Sequence, residues 1–325
     1  MLKNSQVTIQ DIYSDLHETL SMKMLNELPE GPTAIVSGDL HRPGMALMGF
    51  LENFDTGCMQ VFGKSEVSYL TQLSTDEQEL ALGRVAELKP PLLFITSNLQ
   101  VPQSIIDYAT EFKIPLLRTK MPTVDFLHSI NIYLEDAFAD RTEVHGSLVD
   151  VYGVGMLFTG NSGIGKSECA LDLVERGHRL VADDIVEICR RHNDVLIGTF
   201  REILQHKIEI RGVGVVDVQA IFGVRGIRMQ KRIEVEVRLE QWQDDADYER
   251  IGLEHQQAEI MGIKIPRIVV PIYPGKNITV ISEVIALDLM LKLYGVDAAQ
   301  DLNKRIMDTL KGGDNLRQYL RHDHE

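Results

Sequence analysis

Cysteine, tryptophan and positive charge are all scarce in this chain of 325 residues. Its three cysteines, Cys58, Cys169 and Cys189, form no Cys-x-x-Cys pair and have no histidine at zinc-like spacing. That pattern points away from a disulfide framework and from a thiolate metal cluster. Lys and Arg number 33 against 48 Asp and Glu, a net charge of −15. Nucleic acid and anionic membranes are therefore not expected partners, whereas a basic protein surface is favoured on encounter. No apolar run is long enough to span a bilayer, and the start Met1-Leu2-Lys3-Asn4 lacks a signal-peptide core. These absences lead us to expect a cytoplasmic location. No internal repeat or low-complexity segment is present, and the length implies two domains.

What is present is concentrated in the run Thr159-Gly160-Asn161-Ser162-Gly163-Ile164-Gly165-Lys166-Ser167. It reads G-x-x-x-x-G-K-S, follows the apolar, β-prone stretch Val154–Phe158 and precedes a helical pattern over Glu168–Arg176. Glycines at these positions let successive backbone N–H groups face phosphate oxygens. Lys166 is placed to reach the β- and γ-phosphates, and the Ser167 hydroxyl to ligate Mg²⁺. A helix starting beside Lys166 directs its positive end at the same anion. The chain is thus expected to bind a nucleoside triphosphate through Gly160, Asn161, Ser162, Gly163, Ile164, Gly165, Lys166 and Ser167. Guanine-specific proteins usually carry Asn-Lys-x-Asp, and Asn303-Lys304-Arg305-Ile306 lacks the aspartate.

Carboxylates follow the loop. Arg179-Leu180-Val181-Ala182 reads as a strand that ends in Asp183 and Asp184, one of which is expected to face the phosphate fully, because successive side chains of an extended chain alternate. Such a residue can hold Mg²⁺ through water or take a proton from a hydroxyl nucleophile. In Lys207-Ile208-Glu209-Ile210-Arg211-Gly212-Val213-Gly214, alternation puts Lys207, Glu209 and Arg211 on one face. That face fits a metal and phosphate site and a solvated edge strand equally well.

Upstream, Thr33–Ser37 reads as a short strand, followed by a turn at His41-Arg42-Pro43-Gly44. Leu92–Thr96, the amphipathic Gln103–Phe112 and Ile114–Leu117 read as strand, helix and strand, which implies a parallel pair with a right-handed crossover. Asp125–Phe138 is helical in spacing and marks a boundary near residues 125–140. Beyond the loop, Val151–Thr159, Arg179–Ala182, Ile185–Cys189, Val195–Gly198, Ile233–Leu239 and Met261–Ile272 read as strands. Ile278–Tyr294 reads as a long apolar helix and Asp297–Leu310 as a second, with 312–325 a helical extension or a frayed tail.

These motifs together resemble the HPr kinase/phosphorylase family. The resemblance rests on Val144-His145-Gly146, Gly160–Ser167, Arg176–Asp184, Glu209–Gly214, Asp247-Tyr248-Glu249-Arg250 and Pro271–Asn277, in the family's order. It implies an α/β fold: an N-terminal α/β domain over 1–133 serving assembly or regulation, and a P-loop kinase domain over 134–325 with a strand-rich core and C-terminal helices. It also implies Mg²⁺- and ATP-dependent phosphorylation of a regulatory serine on the phosphocarrier protein HPr, in the service of carbon catabolite repression. The reverse phosphorolysis by inorganic phosphate gives pyrophosphate, itself an alternative donor. The roles implied are Asp184 as general base, His145 as the residue tuning it, Lys166 neutralising the transferring group, Ser167 and Glu209 holding Mg²⁺, and Arg250 stabilising transition-state charge. Asp183 and Arg211 belong to the same motifs. The stretch Pro271, Tyr273, Gly275 and Lys276 matches the family's dephosphorylation loop, which usually has arginines where Tyr273 and Lys276 stand. Arginine binds phosphate with a planar fork, lysine is a point charge and tyrosine carries none, so phosphorolysis is expected to be weakened relative to kinase activity. A homohexamer and activation by a sugar bisphosphate are further implications of the resemblance.

Overall fold

A computed structural model describes residues 7–27, 31–52, 54–191, 194–243 and 256–309. The chain divides into two compact units between Asp140 and Arg141.

The first unit is a five-stranded sheet between two layers of helix. The strands run in the order Met22–Met24, Leu116–Thr119, Leu93–Ile95, Met59–Phe62 and Leu40–His41, all parallel except the first. The expected parallel pair is present: Leu93–Ile95 pairs with Leu116–Thr119 across the helix Gln103–Glu111. One face packs on Ile9, Ile12, Phe126, Ile130 and Leu134, and the other on Leu70, Leu82, Val85, Ile105 and Ala109. Thr33–Ser37 is not a strand. Ala34 makes only an isolated bridge to Thr8, the residue that caps the helix Ile9–Leu16, so this segment anchors a helix start and adds nothing to the sheet. The stretch at His41 is likewise no plain turn, because a strand ends there and the helix Gly44–Leu47 follows. The helix Thr123–Ala137 runs to the end of this unit, and its Phe126, Ile130 and Leu134 are core residues rather than a linker.

The second unit has three layers. Its six-stranded sheet has the order Gln256–Ile260, Ile263–Ile272, Val235–Gln241, Val154–Gly160, Ser147–Val151 and Arg179–Ala182. On one face lie the helices Lys166–Glu175 and Ile278–Leu293, joined to it through Val149, Met156, Phe158, Leu173, Val237 and Ala286. On the other lies a four-stranded sheet, Gln230–Arg232, Val195–Phe200, Ile185–Arg191 and Arg141–His145, held by Leu148, Leu157, Val181, Ile188 and Leu196. Val151–Thr159, read as one strand, is a hairpin. Tyr152 and Gly153 both have positive φ, 51° and 88°, as the tightest two-residue turn requires. Val154–Gly160, Val235–Gln241 and Ile263–Ile272 run parallel. Their carboxyl ends therefore share one edge, where open α/β sheets bind ligands. A helical run over 298–309 follows the long helix, and 312–325 lies outside the described residues.

Candidate active site

The strand Val154–Gly160 delivers the loop to this edge, and the helix Lys166–Glu175 leaves from it. Gly160, Gly163 and Gly165 have φ of 135°, 77° and 104°, a region L side chains avoid. A Cβ on Gly163 would collide with the Arg211 guanidinium, which donates a hydrogen bond to Ser162 Oγ at 3.4 Å. Lys166 Nζ donates to the carbonyls of Gly160 and Asn161, both at 3.1 Å. Under the loop, Thr159 Oγ1 donates to the buried Glu236 carboxylate, which Arg267 Nε also meets at 2.7 Å.

The two aspartates part company at a corner of the chain. Asp183 is turned inward, 3% exposed. Its carboxylate accepts from Ser167 Oγ at 3.0 and 2.8 Å and from Ser147 Oγ at 2.5 Å. Burial pushes the Asp183 carboxyl above its ordinary range, against the Ser147, Ser167 and backbone N–H bonds from Glu209 and Asp184 that favour the charged form. Asp184 is turned outward, with φ of 65°. Its carboxylate lies 3.8 Å from His145 Nδ1, which also lies 3.2 Å from the Asp184 carbonyl. The corner explains the pairing. The chain crosses from the four-stranded to the six-stranded sheet through Gly146, and crosses back through Asp183-Asp184. The crossings are tied by Gly146 N–H donating to the Asp184 carbonyl at 3.1 Å.

Glu209 and Arg211 come from the hairpin Lys207–Ile210 and Gly214–Asp217, whose Ile208 and Ile210 pack into the core. With Ser162, Gly163, Gly165, Lys166, Ser167, Glu168, Asp183 and Asp184, they line a cavity of about 130 Å³. Lys207 is not among its lining residues. Pro271 is the penultimate residue of the third parallel strand, and Lys276 Nζ donates to its carbonyl at 2.7 Å. Tyr273 is half-exposed, edge-on to Trp242 at 5.6 Å, with Lys276 Nζ 5.3 Å from its ring centre. Arg250 lies outside the described residues. Ser147 carries no signal in the sequence, being a lone serine in an apolar strand.

The loop glycines, with positive φ at Gly160, Gly163 and Gly165, suit a triphosphate. Ser167, Asp183 and Glu209 offer only hard oxygen donors, as Mg²⁺ requires. Among the described residues no cluster forms an all-protein metal cage, consistent with a cation that takes the rest of its ligands from phosphate and water.

Residues 7–134 match the family model described as HPr Serine kinase N terminus, and residues 136–306 the one described as HPr Serine kinase C-terminal domain. The chain belongs to the HPr serine kinase family. An HPr kinase/phosphorylase of Chloroherpeton thalassium is 45% identical over 311 residues, covering 95% of this chain and 92% of that protein. Another from Prosthecochloris aestuarii is 44% identical over 332 residues, covering 100% of this chain and 98% of that protein. Among solved structures, the Hpr(Ser) kinase/phosphatase from Coxiella burnetii aligns at 28% identity with a TM-score of 0.44, covering 56% of this chain and 99% of that one. Among the described residues no helix is long and apolar enough to cross a membrane.

Proposed function

We propose that this HPr kinase family member transfers the γ-phosphoryl group of ATP, as its Mg²⁺ complex, to a serine hydroxyl of HPr. In reverse, inorganic phosphate attacks the phosphoserine to give pyrophosphate. The observation that carries this reading is the Asp184–His145 pair, held at the rim of the cavity that Lys166, Ser167 and Glu209 line.

Asp184 takes the serine proton as the new P–O bond forms, and returns it to the seryl oxygen in the reverse direction. Little basicity is needed, because phosphoryl transfer depends mainly on positioning and charge stabilisation. His145 orients the Asp184 carboxylate. Lys166 and the loop N–H groups hold the β- and γ-phosphates, and Arg250 supplies positive charge to the transition state. Ser167, Asp183 and Glu209 hold Mg²⁺, which when bound neutralises charge developing on the phosphate oxygens. Pro271–Lys276 serves the reverse reaction, and the residues before 134 serve assembly or regulation. The protein works in the cytoplasm as a hexamer. The exposed stripe Val280, Val284, Leu287 and Leu291 on the helix Ile278–Leu293 offers apolar area for self-association.

The test is the intact mass of HPr after incubation with the protein and Mg-ATP. Addition of one phosphoryl group on serine is expected, with its removal and pyrophosphate release when excess phosphate is added. An unchanged HPr mass, with ATP binding shown separately, overturns the substrate.

A further inference from the structure

A cleft beside the site shares Gly275 and Lys276 with the loop assigned to the reverse reaction, but the rest of its wall, on the helix Lys166–Glu175 and at Asn277–Thr279, has no role in the chemistry described so far. It has a volume of about 790 Å³ and runs between the helix Lys166–Glu175 and the segment Gly275–Thr279 that opens the helix Ile278–Leu293. It is continuous with the phosphate cavity, since Gly165 and Glu168 line both.

Resting on the reading above, we propose that this cleft receives the nucleoside of the donor, and that Glu168 and Asp172 accept hydrogen bonds from its ribose hydroxyls. The direction of the triphosphate follows from the residues around the loop. Asp184, Glu209 and Arg211 mark where the transferred group meets its acceptor, so the α-phosphate and nucleoside leave by the other side, past Gly165 and Glu168. The volume lies in the range of small-molecule sites and is ample for a base and a ribose.

Charge then decides what the cleft accepts. Both cations in its wall are engaged: Arg176 is held by Glu283 at 2.8 and 2.6 Å, and Lys276 by the Pro271 carbonyl. The carboxylates of Glu168 and Glu175 form no ion pair among the described residues, and Asp172 meets only the Thr279 hydroxyl at 3.5 Å. A surplus of carboxylates repels a phosphate tail and favours an uncharged group rich in hydroxyl donors. Asn277 spends its Oδ1 on the N–H of Val280, which leaves its amide N–H₂ to donate to a ring nitrogen. Pyrophosphate has nothing to place here. The cleft is therefore the part of the molecule that separates ATP from pyrophosphate as donor.

The test compares Mg²⁺-dependent binding of ATP, 2′,3′-dideoxy-ATP and inorganic tripolyphosphate by calorimetry on the full chain. Wild type is expected to bind ATP about tenfold more tightly than the dideoxy nucleotide, the usual worth of a hydroxyl bonded to a charged acceptor. Asp172→Trp, which fills the cleft from an exposed helix position, is expected to weaken ATP about tenfold or more and to leave tripolyphosphate within about twofold. Asp172→Asn is expected to narrow the ATP-to-dideoxy gap and serves if the tryptophan variant does not fold. Equal losses for ATP and tripolyphosphate, or no loss for either, overturn the cleft while leaving the proposed function standing. A wild-type protein that binds neither ATP nor tripolyphosphate removes the function, and the cleft with it.

Discussion

Asp184 carries a side chain in the left-handed region, at φ 65°, a conformation that costs about 1 kcal/mol or more and persists where the surroundings enforce it. Asparagine tolerates this conformation as well as aspartate does. Asp184→Asn should therefore keep the corner and remove only the base: kcat for HPr phosphorylation is expected to fall about 10²–10⁴-fold with ATP affinity retained. Near-normal turnover in a rapid-quench assay removes Asp184 from that role. The resemblance leads us to expect arginines at Tyr273 and Lys276, and the lost charge falls at Tyr273. It lies against Trp242 and below Lys276, which leaves Lys276 as the cation of Pro271–Lys276. Tyr273→Arg is expected to raise phosphorolysis relative to kinase activity, read as the ratio of the two initial rates on one HPr preparation. An unchanged ratio counts against the loop's part in the reverse reaction.

At the scale of elements, the helices flanking the phosphate loop are fastened by Glu283. Its carboxylate receives both Arg176 Nε and Nη2, and lies 3.1 Å from the buried His178 Nε2. Arg176, then His178, hold the Glu283 carboxyl below its usual range. A depressed carboxyl contributes stability in full above its ordinary pKa and loses it as the pH falls through the depressed value. Glu283→Gln is expected to melt roughly 3–6 °C lower near neutral pH, and the gap to wild type should close as the pH drops below the ordinary value of 4.5. A gap that widens in acid contradicts the ion pair. Such links between distant elements are invisible in a sequence, whereas local signals are not. The strand–helix–strand over 93–119 was legible from apolar runs and a 3.6-residue period. Met59–Phe62 was not, because it is buried on both faces and shows no alternation. The phosphate loop was legible because chemistry fixes its spacing. Alternation leads us to expect that only one of the adjacent aspartates faces the phosphate fully. Both line the cavity, because Asp184 leaves the extended conformation at φ 65°, so that one aspartate turns inward and the other outward. Which is which, and that Ser147 bonds the inner one, depended on a corner between two sheets that no pattern encodes.

At the scale of the whole molecule, the division between Asp140 and Arg141 leaves the loop, both aspartates, His145 and the hairpin of Glu209 on one side. A fragment of residues 141–325 is expected to bind Mg-ATP within about threefold of the intact chain, since the residues given as lining the phosphate cavity all belong to this unit. A much larger loss in calorimetry shows that residues before 141 contribute to the nucleotide site. Within the second unit, Asp184 and His145 sit at two of the places where the backbone passes between the same pair of sheets, while the phosphate loop belongs to the larger sheet alone. Asp184 and His145 are thus stitched along a seam. A change deep in the smaller sheet, at Leu196 for instance, can shift the stitching against the loop without touching a phosphate ligand, and damage of that kind would slow the reaction while ATP still bound as before.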